Sequence, residues 1–326
     1  MDWPVGESIA AVDALVDEVF TDPAVADTLA VVVVQGGQIV AERYGGALAR
    51  FDGPPIPVGP DTTLTSWSMA KSMLHAIVGM LVGEGRLVLD DPAPVPAWSS
   101  DERARITLRH LLQMRDGLAW TEDYVDGASD VIEMLWGRGA ADVAAFAADR
   151  PLAAAPGERF NYSSGTSNVV SGIVARTLGP GEPYLRFLHE RLLDPIGMTS
   201  AKPDFDAAGT WVASSTLYAT ARDFARFGLL YLRDGMWDGT RLLPAGWVDD
   251  ARTPVSVDEE DGTQYGSQWW VSADDWGTFW ANGYEGQRIF VVPALDAVVV
   301  RLGKMPVERA PALAVWSARM LKALAG

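Results

Sequence analysis

Ser68-Met69-Ala70-Lys71 sets a hydroxyl and an amine three residues apart, a spacing at which a serine nucleophile can sit beside its own base. The surrounding run, residues 66–82, is apolar almost all round and reads as a buried helix. Positions i and i+3 share one helix face, so the two side chains meet. A buried lysine is costly unless it is paired or neutral, and burial favours the neutral amine. Arginine cannot supply that free base. The chain has four lysines (Lys71, Lys202, Lys304 and Lys322) and otherwise uses arginine, which singles out Lys71. The competing explanation is plain. Ser-x-x-Lys is a short pattern, and a lysine can snorkel out of a half-buried helix.

Rival chemistries find little support. The three histidines are His75, His110 and His189. His75 lies two turns beyond Ser68, about 10 Å along a helix axis, out of reach as its base. His110 reads as a packing or surface residue, and His189 has no second histidine at metal spacing. There is no Gly-x-Ser-x-Gly elbow, His-Glu-x-x-His, EF-hand loop or phosphate-cradling glycine motif. The absence of cysteine removes thiol nucleophiles, disulfides and thiolate metal sites. No metal or cofactor is expected. A serine hydrolase would then need Lys71, or a tyrosine able to act as a phenolate beside ammonium groups. Tyr162, in the polar loop Phe160–Ser167 ahead of a predicted helix, supplies one. Taken alone, it equally fits a packed tyrosine with its hydroxyl at the surface.

These residues need a scaffold. The 326 residues suffice for one large domain or two modest ones, and 48% hydrophobic content gives a sizeable core. A net charge of −17 argues against a nucleic-acid or anionic-membrane partner. The N-terminus lacks a basic region followed by an apolar one, so a cytoplasmic protein is expected. The run Leu29–Val34 is too short to span a bilayer. Helical spacing covers Ser8–Phe20, and Leu29–Val34 and Ile39–Tyr44 read as a hairpin about Gly36-Gly37. The segment Phe51–Pro60 reads as loop. Helices are predicted over Ser68–Val82, Leu108–Met114, Ala140–Ala148, Thr166–Thr177, Pro183–Leu193 and Thr220–Arg233. Strands are predicted over Tyr265–Val271, Gly277–Ala281, Ile289–Val292 and Ala297–Arg301, before a last helix, Ala310–Leu324. Strands at both ends predict an α+β fold whose antiparallel sheet is built from both termini and flanked by helices. The sheet domain would take residues 1–66 and 256–326, and residues 67–255 would form a mostly helical domain. The active site would lie in the cleft between them.

Ser68-x-x-Lys71 followed by Tyr162-Ser163-Ser164 resembles the penicillin-recognising serine hydrolases. The likeness is to the class C β-lactamase-like branch, which also holds D-aminopeptidases, esterases and the 6-aminohexanoate-dimer (nylon-oligomer) hydrolases. It extends to Ile106–Leu118, with its turn into Asp116-Gly117-Leu118. It also takes in Asp194-Pro195-Ile196-Gly197-Met198, Thr220–Gly228 and Gly283–Pro293. Together, in order, these motifs cover roughly residues 25–325.

The resemblance implies a β-lactamase/transpeptidase-like fold and an acyl-enzyme mechanism. Ser68 attacks a carbonyl while Lys71 and Tyr162 move the proton. The backbone N–H groups of Ser68 and Tyr284 hold the oxyanion. The family's third motif aligns with Ala281-Asn282-Gly283, which puts Ala281 where a lysine or histidine is usual. The second motif has Ser164 where β-lactamases often carry asparagine. Both departures point towards amidase or esterase branches, nearest the nylon-oligomer hydrolases. The stretch Trp120–Asp126 resembles their mobile loop, with Tyr124 over the substrate. Trp67, Tyr124, Ser164, Asn282 and Gly283 are the expected substrate contacts. Trp120, Trp136, Trp269, Trp270 and Trp280 are candidates near the cleft, most of them expected in the core. The acidic residues Glu122, Asp123, Asp126 and Asp130 would either greet an amine-bearing substrate or form a solvated loop face. The expected partner is a small amide or ester, and a homodimer is the assembly considered. The alternatives are a β-lactamase or D-Ala-D-Ala carboxypeptidase, and a non-catalytic binding member of the fold.

Overall fold

The computed structural model describes residues 3–25, 27–49, 53–259 and 261–326. Met1 and Asp2, on which the leader reading begins, and Phe51 and Asp52, which open the expected loop, lie outside them. Eight strands form one antiparallel sheet. They are β1 (Asp27–Gln35), β2 (Gln38–Tyr44), β3 (Ser256–Val257), β4 (Gln264–Tyr265), β5 (Trp270–Val271), β6 (Phe279–Gly283), β7 (Gln287–Val292) and β8 (Ala297–Lys304). Their spatial order is β3-β4-β5-β6-β7-β8-β1-β2. The two ends of the chain therefore meet where β1 pairs with β8, Val32 opposite Val300.

Period-two alternation decides what each face of this sheet holds. In β1, Val31 and Val33 face one apolar cluster, while Val32 and Val34 face the other. The first is closed by α1 (Ala10–Val19) and the C-terminal helix, through Val12, Val16, Leu313 and Trp316. The second continues without a break into helices supplied by the middle of the chain. These are α2 (Ala70–Gly83), α3 (Leu108–Leu112), α4 (Asp130–Leu135), α5 (Val143–Ala148), α6 (Ser164–Leu178), α7 (Glu182–Leu188), α8 (Ala221–Leu232) and α9 (Trp247–Arg252), and the C-terminal helix is α10 (Ala310–Ala325). Helix α8 lies across β1, β7 and β8, and a Cβ at Gly228 would meet Val298 at 2.6 Å. Among the described residues, no helix is long and apolar enough to cross a membrane.

Three local expectations change. The strand predicted over Tyr265–Val271 is two short strands, β4 and β5, with a turn between them. Gln268 has φ +58°, and a Cβ at Gly266 would fall 2.0 Å from the Ala251 carbonyl oxygen, so the chain must fold back there. The helix predicted from Ser68 begins with a 3-10 turn, Trp67–Met69, before α2. The helix predicted over Pro183–Leu193 loosens after Leu188 into a single π-type turn, His189–Leu193.

Candidate active site

Every residue from Ala70 to Leu81 is buried, so α2 is the central helix of the main core. Lys71 is 2% exposed and Ser68 9%. The Lys71 ammonium donates to three oxygens: Ser68 Oγ at 2.8 Å, Ser164 Oγ at 2.9 Å and the Ser214 carbonyl at 2.8 Å. No snorkelling occurs. Burial pulls the Lys71 pKa down to about 8, against the opposing charge of Glu122. A neutral amine in this position has a lone pair free to accept the Ser68 proton.

Helix α6 brings the second set of groups. Ser163 caps it by accepting from the Thr166 N–H at 2.9 Å, which leaves Tyr162 just ahead of the helix and Ser164 in its first turn. Thr166 Oγ1 also donates to Asp116 Oδ2 at 2.7 Å, tying the Asp116-Gly117-Leu118 turn to the helix start. The Tyr162 ring lies 5.0 Å from Lys71 Nζ. Burial, reinforced by the charge of Glu122, raises its phenol pKa, while hydrogen bonding to Ser68 and the charge of Arg288 oppose the rise. Tyr162 is therefore a neutral phenol here, and the expected phenolate is not its resting state. Its hydroxyl can relay a proton but does not start as a base.

Glu122 separates from its acidic neighbours. It accepts from the Ser164 N–H at 2.8 Å, Ser164 Oγ at 2.5 Å, Trp120 Nε1 at 2.6 Å and Tyr124 OH at 3.2 Å. Ser164 thus links this carboxylate to Lys71. A Cβ at Gly165 would sit 2.5 Å from the Trp120 ring, so glycine lets that tryptophan pack on the helix start. Asp123 and Asp126 accept from backbone N–H groups of their own loop, and Asp130 pairs with Arg150 at 3.0 Å.

Strand β6 borders the site with an open edge. Among the described residues β5 pairs only with its Phe279 and Trp280, which leaves residues 281–283 without a partner strand on that side, packed beside the 3-10 turn that carries Ser68. A Cβ at Gly283 would lie 2.4 Å from the Ser66 carbonyl oxygen. Two non-glycine residues with positive φ, Trp67 (+45°) and Glu285 (+60°), face each other here, joined by Trp67 Nε1 to Glu285 Oε2 at 3.3 Å. Beneath that turn the fully buried Arg301 donates to the carbonyls of Glu285 and Gly286, both at 3.1 Å.

Alternation along β6 puts Ala281 and Asn282 on opposite faces of the sheet. Ala281 is 1% exposed and belongs to the main core, whereas Asn282 takes the opposite face. Arg288 is the cross-strand partner of Asn282, and its charge acts on Tyr162. A cation therefore does stand near this end of the site, on the neighbouring strand. Sequence reading missed Arg288 because the β6–β7 register brings it there.

The aromatic rim joins distant segments. Tyr124 stacks on Tyr284 with ring centroids 4.8 Å apart, and Trp67 meets Tyr284, Trp136 and Tyr124 edge-on at 5.5, 6.4 and 6.5 Å. Trp270 lies 5.4 Å from Tyr162. Trp269 is wholly buried against Tyr231 and Phe279, away from this rim. The histidines are occupied elsewhere. His75 Nδ1 is 2.8 Å from Tyr231 OH, and its ring stacks on Trp247. His110 completes a capping box with Thr107, and His189 lies at the surface beside Asp194.

A hydroxyl in contact with a buried, easily deprotonated amine is equipped for covalent catalysis. Among known proteins, the family model described as Beta-lactamase matches residues 16–315. The 6-aminohexanoate-dimer hydrolase of Paenarthrobacter ureafaciens is 28% identical over 302 residues, covering 86% of this chain and 73% of that protein. A solved structure from Bacillus anthracis, provisionally assigned as a 6-aminohexanoate-dimer hydrolase, superposes with a TM-score of 0.81 at 22% identity, covering 99% of this chain and 87% of that one. A penicillin-binding protein homologue from Caulobacter crescentus gives 0.73 at 17% identity, covering 98% and 99%.

Proposed function

The chain belongs to the β-lactamase family of serine hydrolases, and from that premise we propose that it cleaves small amides or esters through an acyl-enzyme on Ser68. The observation that carries this reading is the Lys71 amine, 2.8 Å from Ser68 Oγ, buried, and lowered to a pKa of about 8. As Ser68 Oγ bonds to the substrate carbon, its proton passes to Lys71. The backbone N–H groups of Ser68 and Tyr284 receive the oxyanion. When the carbonyl re-forms, the bond to the leaving nitrogen or oxygen breaks, and that atom takes the proton from Lys71 through the Tyr162 hydroxyl. Water then attacks the acyl-enzyme by the same route in reverse. The Trp67, Tyr124 and Tyr284 cluster suits an apolar chain next to the scissile bond. The preference for amides and esters draws on the 6-aminohexanoate-dimer hydrolase relative.

A fluorophosphonate probe tests the nucleophile directly. Peptide mass spectrometry of the labelled protein is expected to find the adduct on Ser68. An adduct confined to another serine, or no adduct, would sink the proposal. The fit of β6 gives a second expectation. Gly283→Ala forces the strand away from Ser66, and a displacement near 1 Å in a catalytic frame costs about 10²-fold in rate. The kcat on a p-nitrophenyl ester should fall by about that factor, with a melting temperature lower by a few degrees.

A further inference from the structure

On the face of β6 and β7 opposite the main core lies a cavity of about 610 Å³, closed on its far side by α10. Trp270, Trp276, Trp280 and Phe290 form aromatic walls, and Leu313 and Leu321 of α10 add aliphatic ones. Two polar atoms of its lining have no hydrogen-bond partner among the described residues. The Thr278 side chain is 1% exposed, yet its hydroxyl has no hydrogen-bond partner, and neither has the buried Asn282 Oδ1. Arg288 uses only Nη1, donating to the Gly283 carbonyl at 3.2 Å and the Gln287 carbonyl at 2.9 Å. Among the described residues, no carboxylate pairs with it. An idle guanidinium edge and, opposite it across the β6–β7 ladder, an amide that can turn to present its NH2 lie at one end of this apolar chamber, and the Thr278 hydroxyl lies four residues, about 13 Å, away along the strand.

Such a set of donors is complementary to a carboxylate, which a guanidinium fork binds through two oxygens. The acidic residues of the lining do not compete for Arg288. Asp274 Oδ1 holds the Trp276 and Thr278 N–H groups at 3.0 and 3.1 Å, and the exposed Asp261 accepts from the Thr263 N–H at 2.8 Å. We infer that this cavity is a binding site for a small amphiphilic carboxylate, its head on Arg288 and Asn282 and its apolar body between the tryptophans, directed towards Thr278. The cavity lies on the face of the sheet opposite the main core and meets the Ser68 site at its edge, where Trp270 lies beside Tyr162 and the charge of Arg288 acts on Tyr162, and the inference does not depend on the hydrolase reading.

Calorimetric titration of the full chain with hexanoate, alongside intrinsic tryptophan fluorescence, tests this. Saturable binding with a fluorescence change is expected, with at least tenfold weaker binding of hexanol and none of hexylamine. Arg288→Gln should weaken hexanoate at least tenfold, while Arg288→Lys keeps part of the affinity and Thr278→Val, at the far end of the cavity, leaves it within about twofold. Circular dichroism melts confirm that each variant is folded. Binding to a fluorophosphonate-treated or Ser68→Phe protein should persist, because the cleft is then blocked and the cavity is not. The inference is overturned if hexanoate does not bind, if hexanol matches it, if folded Arg288→Gln binds as well as the parent, or if blocking Ser68 removes binding.

Discussion

Ser68→Ala is expected to lower kcat/KM on an amide or ester by about 10⁴- to 10⁶-fold, the scale on which removing a catalytic serine acts. The other hydroxyl beside Lys71 is Ser164 Oγ, at 2.9 Å, and its proton is already given to Glu122. His75 is committed to Tyr231 and Trp247. Residual rate would come from the oxyanion donors and binding alone. The protein should stay folded, because the Ser68 hydroxyl meets only the site while the core around α2 is made by its neighbours. Lys71 loses one of three acceptors, which makes its charged form less favourable. Stability should therefore change by no more than about 1 kcal/mol. Substrate binding, measured by calorimetry on the inactive variant, should be retained. Turnover within tenfold of the parent would exclude Ser68 as nucleophile.

Why Ser68 and Lys71 can be read from sequence while Arg288 and Glu122 cannot follows from how each reaches the site. The first two lie three residues apart on one apolar helix, so local spacing alone predicts their contact. Tyr162 needs only the additional fact of a polar loop ahead of a helix, supported by family resemblance. Arg288 arrives through strand register. Register decides which residue of the next strand stands opposite Asn282, and a motif read along β6 alone carries no information about that partner. Glu122 sits among other acids in a loop, and nothing in composition marks the one that meets Ser164. The sheet was legible because β1, β7 and β8 are long β-branched runs. The helices α4 and α9, six residues each, are too short to display a period, and β4 and β5 hide within one aromatic run.

The base assignment makes the second large prediction, and its sign can be worked out. Burial disfavours the charged amine, so Lys71 titrates near pH 8 instead of above 10. The neutral amine is the active form, so log kcat/KM should rise with unit slope below pH 8 and level off above it. Lys71→Ala should cost about 10² to 10⁴-fold, the range for a general base. Lys71→Arg is the sharper variant, because it keeps the charge and hydrogen-bonding capacity but cannot release a proton. It should be as inactive as the alanine variant and have no limb near pH 8. A Lys71→Arg enzyme with more than about a tenth of parent activity would mean that the position supplies charge alone. Tyr162→Phe should lose less, since the neutral phenol relays a proton that Lys71 has already taken. Glu122→Gln provides the internal control. Glu122's charge holds the Lys71 pKa up, so removing it should move the pH limb below 8. A merely structural role for Glu122 would lower activity at every pH and leave the limb in place.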